Sequence, residues 1–147
     1  MTDDDAVDIL LVEDNPGDVR LTQEAFRQSD VPSTLHVLDD GVEALDFCHQ
    51  RGEHADAPRP DIVLLDLNLL RTDGREVLAA LKESPDLSRI PVIVLTSSAT
   101  RADVVESYEH DANAYLTKPV DPGEFIRTIE AFIEFWLSTA RLPTEPE

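Results

Sequence analysis

Three stretches of the chain are apolar at every position: Ile9-Leu10-Leu11-Val12, Ile62-Val63-Leu64-Leu65 and Val92-Ile93-Val94-Leu95. Unbroken runs of four to six apolar residues are the mark of strands buried on both faces, as in a parallel sheet covered by helices. The pattern predicts strands over residues 8–12, 61–65 and 92–95, with shorter ones over 34–38 and 114–117. Between them apolar residues recur at helical spacing. One helix opens at Asn15-Pro16 and runs to about residue 29 on Val19, Leu21, Ala25 and Phe26; proline suits a first turn, where its missing N–H costs nothing. A second starts at Asp40-Gly41 and turns Val42, Leu45 and Cys48–His49 inward. A third, about 75–83, buries Val77, Leu78 and Leu81; a fourth, 102–110, presents Val104, Val105 and Tyr108. The last opens at Asp121-Pro122 and runs to about residue 138. Residues 51–60 form a polar loop, and 85–91 a connector. Strands alternating with helices, with no repeat and no internal boundary, give one α/β domain of residues 8–138, a three-layer α/β/α sandwich. Residues 1–7 are expected to be a flexible acidic arm, and 139–147 a flexible tail.

The strand ends carry the chemistry. Glu13 and Asp14 follow the first strand, Asp66 the third, Thr96 the fourth, and Lys118 the fifth. Open α/β sheets place their sites in the crevice outside the carboxyl ends of the strands. Three acids brought together there repel one another unless a cation sits among them. A hard divalent ion with oxygen ligands suits the set, and Mg²⁺ is the default because it keeps waters and phosphate oxygens in its shell. Lys118 adds a second positive charge and Thr96 a hydroxyl. The combination describes phosphoryl transfer in which Asp66 is the nucleophile and becomes an acyl phosphate. Lys118 and the metal neutralise the phosphoryl oxygens, and Thr96 holds one of them. An acyl phosphate is labile to water, which suits a signal. Pro119 follows Lys118 directly and is a candidate for a cis bond that would aim the ammonium back over the strand ends; an ordinary trans proline ending the strand is the alternative.

Composition narrows the partners. In 147 residues the net charge is −19, and Lys82 and Lys118 are the only lysines among twelve basic residues. A solvated acidic surface of this kind fits a halophilic source, whose salt screens the self-repulsion; an acidic face that docks a basic partner is the other reading. Either way the charge argues against binding nucleic acid, which rests on neutralising phosphates. Cys48 is the single cysteine, so an internal disulfide and a CxxC metal site are excluded; its helical stripe makes it a core residue. No run approaches the length of a membrane span, and the protein is expected to be cytoplasmic.

Taken in order, Val12-Glu13-Asp14-Asn15, Leu64-Leu65-Asp66-Leu67-Asn68, Asp73-Gly74, Leu95-Thr96-Ser97 and Lys118-Pro119 resemble the receiver domain of two-component response regulators, over nearly the whole chain. The resemblance implies a flavodoxin-like, CheY-like five-stranded parallel sheet of order 2-1-3-4-5. It implies Asp66 as phospho-acceptor, Mg²⁺ held by Asp14, Asp66 and the backbone carbonyl of Asn68 with Glu13 acting through water, and phosphoryl contacts from Thr96 and Lys118. Thr96 and Tyr115 fall at the switch positions. Asn68 and Ser98 fall where side chains tune the lifetime of the phosphate. The segments Val12-Glu13-Asp14-Asn15-Pro16-Gly17-Asp18, Asp40-Gly41-Val42-Glu43-Ala44-Leu45 and Phe135-Trp136-Leu137 further resemble the stand-alone regulators that partner phytochrome-type sensor histidine kinases. One departure stands out: Leu70 occupies a position that is usually proline, which should loosen the turn entering the third helix.

The last helix carries more apolar surface than one sheet face buries. Phe125, Ile129, Phe132 and Trp136 form one stripe, and Ile126, Ile133 and Leu137 another. A homodimer through this helix and the edge of the fifth strand is expected, with Phe132, Phe135 and Trp136 as interface candidates; a broad stripe folded under the tail is the alternative. None of His36, His49, His54 and His110 has a relay context, so the phospho-donor histidine is expected on a separate kinase and the signal on a downstream protein target. A phosphohydrolase using an aspartate nucleophile would want a second acid at position 68, where Asn68 cannot serve. A nucleotide-binding module would want a G-x-G-x-x-G or a P-loop, and neither occurs. A non-phosphorylated interaction module is disfavoured by the complete set Glu13, Asp14, Asp66, Thr96 and Lys118.

Overall fold

The computed structural model describes residues 6–97 and 112–139. The expected helix over 102–110, Ser98, and most of the two expected flexible ends lie outside the described residues. Strands β1 (Val7–Val12), β2 (Ser33–Leu38), β3 (Ile62–Leu65), β4 (Val92–Thr96) and β5 (Ala114–Thr117) form one parallel sheet of order β2-β1-β3-β4-β5. Val7, placed in the arm by its sequence context, belongs to the sheet: its N–H donates to Pro32 O at 3.0 Å and it pairs with Ser33. Thr96 is the last residue of β4 rather than the residue after it.

Strand alternation sorts the core into two layers. Leu10, Val12, Val63, Leu65, Val92 and Val94 face α2 (Gly41–His49) and α3 (Gly74–Glu83), meeting Phe47, Cys48, Leu78 and Leu81. Ile9, Leu11, Ile62, Leu64, Ile93 and Leu95 face α1 (Pro16–Arg27) and α4 (Pro122–Phe132), meeting Phe26, Phe125 and Ile129. Helices cover both faces, as the unbroken apolar strands require. Burial pushes the Cys48 thiol up to about 12, so it stays protonated in this core.

Each α-helix among the described residues starts where a side chain can satisfy its free N–H groups. Asn15 caps α1 by accepting from Asp18 N, Asp40 caps α2 through Val42 N, Asp73 caps α3 through Arg75 N, and Asp121 caps α4 through Glu124 N. Pro16 and Pro122 occupy first-turn positions. The α3 start also fixes the site. Gly74 N donates to Leu67 O at 3.0 Å, and a Cβ on Gly74 would lie 2.4 Å from the carbonyl oxygen of Asp66. Only glycine lets α3 begin this close to the acceptor strand.

Two expectations change at the C-terminal end. Beyond Phe132 the helix widens into π-helical turns over Ile133–Thr139, so the regular stripe drawn through Trp136 does not continue at its assumed spacing. Phe132, expected at a dimer interface, is 3% exposed and packs edge-on against Phe26 with ring centroids 6.4 Å apart. The helix uses that ring to seal α1 against α4, and a residue so buried cannot anchor a partner. Phe135, by contrast, is 53% exposed and stands against the half-buried Trp136 ring in an edge-to-face pair at 5.4 Å.

Gly74→Ala is expected to destabilise the protein by about 1–3 kcal/mol, the usual range for overpacking, because the new methyl must displace the Asp66 backbone. Urea denaturation at constant m-value measures it. A loss under about 0.5 kcal/mol, the range of an unconstrained surface site, would show that the contact relaxes freely.

Candidate functional site

The sheet register brings the strand-end residues together. Glu13 N donates to Leu38 O and Asp66 N to Val12 O, each at 3.0 Å, carrying the ladders one residue past β1 and β3. Lys118 N does the same past β5, donating to Thr96 O at 2.8 Å. That bond sets the course of the chain leaving β5, and the Lys118–Pro119 bond is trans: the described residues hold no cis peptide. The cis bond considered for Pro119 is therefore corrected; the ladder already directs the lysine across the strand ends.

Lys118 Nζ sits 2.7 Å from Glu13 Oε1, 2.8 Å from Asp18 Oδ2 and 3.1 Å from Asp66 Oδ2, with its side chain 8% exposed. An ammonium has three N–H donors, and here three carboxylates receive them. Asp66 is tied on its other oxygen, where Oδ1 accepts from Asn68 N at 3.0 Å. Glu13 Oε2 accepts from Asn15 N at 3.2 Å. Asp14 Oδ2 accepts from Leu70 N at 2.6 Å. This last bond bears on the departure at position 70. The turn is tied to β1 by a backbone donor that proline lacks, so it is held here by a hydrogen bond instead of by a fixed φ.

Thr96 is fully buried, and its hydroxyl accepts from Asn68 Nδ2 at 2.7 Å. Tyr115 pairs with Val94 in the β4–β5 ladder and packs against the same core layer, on the face that also carries Thr96. Asn68, expected to contribute only its backbone carbonyl and a tuning side chain, thus bridges the acceptor strand and the threonine.

Electrostatics follow from burial. Glu13 is 2% exposed. Desolvation pushes its carboxyl up to about 8; the Lys118 hydrogen bond pulls against that shift, and Asp66 adds to it. Burial acts to lower the Lys118 ammonium, but the hydrogen bonds it donates to Asp18 and Glu13 and the charges of Glu13 and Asp66 outweigh it and hold the group above its usual range. One oxygen from each of Glu13, Asp14 and Asp66 falls within 4.8 Å of the others. Three oxygen donors so grouped, two of them buried, fit a hard divalent cation.

Of the residues singled out in the sequence, Asp14, Asp66, Asn68, Lys118 and Pro119 line one crevice, the buried Glu13 and Thr96 touch it through Lys118 and Asn68, and Phe135 and Trp136 lie elsewhere on the C-terminal segment. Asp18 was missed as a site residue. As an acid in the first turn of a helix it looks like a solvated residue placed against the helix dipole, and only its position within the Asn15-Pro16-Gly17-Asp18 segment could have pointed to it.

A sheet of this order with this crevice defines the chain as a phosphorelay receiver. It belongs to the response regulator receiver domain family, whose profile matches residues 9–130. Response regulator Rcp1 from Synechocystis sp. is 48% identical over 135 residues, covering 92% of this chain and 92% of its own length. The crystal structure of Mn²⁺-bound Rcp1 superposes with a TM-score of 0.91 at 47% identity, covering 94% of this chain and 99% of that one. That of the phosphorylated cyanobacterial phytochrome response regulator RcpA gives 0.92 at 47% identity, covering 95% and 99%. The chain is a signalling protein of the receiver type. No helix among the described residues is long and apolar enough to cross a membrane.

The raised Glu13 carboxyl predicts a pH effect on the metal-free protein. Its folded value near 8 lies above the 4.5 of a free glutamate, so the folded state binds the extra proton. The resulting stability is complete below about pH 4.5 and is lost as pH rises through about 8. Glu13→Gln, whose amide does not titrate, is expected to gain in Tm relative to wild type from pH 6 to pH 9 in chelator. Thermal melts read this directly; a difference independent of pH would show that Glu13 ionises like a surface acid.

Proposed function

We propose that this receiver accepts a phosphoryl group from a sensor histidine kinase on Asp66, in a Mg²⁺-dependent reaction, and signals through altered contacts with a downstream protein target. The observation that carries the reading is the position of Lys118 Nζ, 3.1 Å from Asp66 Oδ2 and inside a group of acids suited to a divalent ion. An oxygen lone pair of Asp66 forms the new O–P bond as the P–N bond to the donor histidine breaks, and that electron pair leaves with the imidazole. The attacking Asp66 carboxylate has no proton to lose, so the step needs no general base. Lys118 receives charge on the phosphoryl oxygens, and the Thr96 hydroxyl, once released by Asn68, holds one of them. Asp14, Asp66, the Asn68 carbonyl and Glu13 through water would hold Mg²⁺, which supplies further charge neutralisation at the same oxygens. Thr96 and Tyr115 share a face of β4 and β5 and would carry the change in charge to the surface. The protein promotes only its own phosphorylation and dephosphorylation.

RcpA is a phytochrome response regulator, which supports a phytochrome-type kinase as donor. A cytoplasmic location belongs to the same reading, since histidine kinases draw the phosphoryl group from ATP. The exposed Phe135 against Trp136 supports a homodimer through the C-terminal segment, with these two rings and not Phe132 at its centre.

Incubation with Mg²⁺ and a small phosphodonor is expected to add one phosphoryl mass to wild type and none to Asp66→Asn or to wild type in chelator. A label that persists in Asp66→Asn would move the acceptor elsewhere. Light scattering tests the dimer: wild type is expected at twice the monomer mass and a Phe135→Ala/Trp136→Ala variant at the monomer mass, whereas a monomeric wild type removes the proposal.

A further inference from the structure

We propose that Asp18 is a positioning residue for phosphoryl transfer, holding the Lys118 ammonium over Asp66 from outside the metal-ligand group. The inference rests on the reading of Asp66 as phospho-acceptor. Three carboxylates share Lys118, but they are not equivalent. Glu13 and Asp66 belong to the group whose oxygens crowd within 4.8 Å, and Asp18 does not. A cation in that group draws on Glu13 and Asp66, and a phosphoryl group on Asp66 takes the acceptor's own charge out of the carboxylate. Asp18 is the partner left to Lys118 throughout. Lysine is a compact charge on a flexible four-carbon stem, so an ammonium deprived of two of its three partners keeps its place only if the third is fixed.

Asp18 is fixed. Its N–H donates to Asn15 Oδ1 at 3.1 Å, and its carbonyl oxygen accepts from the Oγ1 of the buried Thr22 at 2.8 Å. Asn15 in turn donates its own N–H to Glu13. The first turn of α1 is therefore pinned at both ends of Asp18, and the cap that pins it is tied to β1. From that platform the carboxylate reaches Lys118 across a hundred residues of sequence at 2.8 Å. An acid serving only the helix dipole gains from charge near the N-terminus and has no need of this contact. Among the influences that keep Lys118 charged in spite of its burial, the Asp18 hydrogen bond stands first.

The test is a double-mutant cycle read by phosphorylation rate with Mg²⁺ and a small phosphodonor. Asp18→Asn is expected to slow labelling about tenfold, the loss of one charge-assisted hydrogen bond, with Mg²⁺ affinity within about twofold of wild type. Asp18→Glu restores most of the rate. In a Lys118→Ala background Asp18→Asn is expected to change the rate less than about twofold, because its partner is gone; a purely structural role would slow both backgrounds alike and lower metal affinity as well. Should Asp18→Asn fail to fold, Asp18→Ser takes its place in the same cycle. Wild-type rates in Asp18→Asn, faster labelling, or equal slowing in both backgrounds would each overturn the proposal. A wild type that takes no label, or one labelled equally in Asp66→Asn, strikes the underlying phospho-acceptor reading instead.

Discussion

The structure turns on a single ammonium. Two core layers, each built on an apolar face of the sheet, fix the strand register, and the register forces Glu13 and Asp66 side by side at the buried end of β1 and β3. The packing that makes the fold stable creates the repulsion at its edge. Lys118 relieves it, reaching from the end of β5 across the sheet to acids of β1, α1 and β3. Buried ion clusters of this kind contribute little to net stability, yet removing one partner strands the rest, at a cost of about 3–5 kcal/mol. The cluster is thus a poor device for holding a fold and a good one for sensing a change of charge. An acyl phosphate formed on Asp66 would alter the balance for every group around Lys118 at once.

Lysine is spent sparingly in this chain, and both copies end in defined contacts. Lys82 donates to the carbonyls of Ser88 and Ile90 and to Asn113 Oδ1, tying the α3–β4 connector to the start of β5. Lys118 holds the site. The positive charge that remains is on arginine. Each lysine stands where three acceptors converge, an arrangement that suits a flexible three-donor ammonium better than a planar guanidinium.

The legible parts of the molecule were those written by repetition or by position. Strands buried on both faces must be apolar at each residue, so β1, β3 and β4 stood out, and a polar residue that closes such a run is conspicuous; Asp66, Thr96 and Glu13 were found that way. Caps were legible because Asn15, Asp40, Asp73 and Asp121 each precede a helical pattern. Contacts between distant segments, and bonds made by the backbone, left no trace in residue type. Asp18 looked like any first-turn acid, and its partner lies at the far end of the chain. The amide of Asn68 on Thr96 needed the two strand ends to be placed first. Phe132 and Trp136 share an apolar stripe in sequence, and nothing in that stripe distinguishes the ring that seals α1 against α4 from one left half-buried where the helix widens.

Position 70 shows how a site can change the chemistry of a constraint and keep the constraint. Leu70 is 88% exposed on the rim of the crevice, while its N–H holds Asp14. Its tie to Asp14 resides in an atom that nineteen of the twenty amino acids possess. Substitution there is therefore close to neutral across a wide range of side chains, which leaves the rim of the crevice free to diverge toward new partners without disturbing the acid beneath it. The one residue that drift cannot supply without losing the Asp14 tie is proline, which has no backbone N–H.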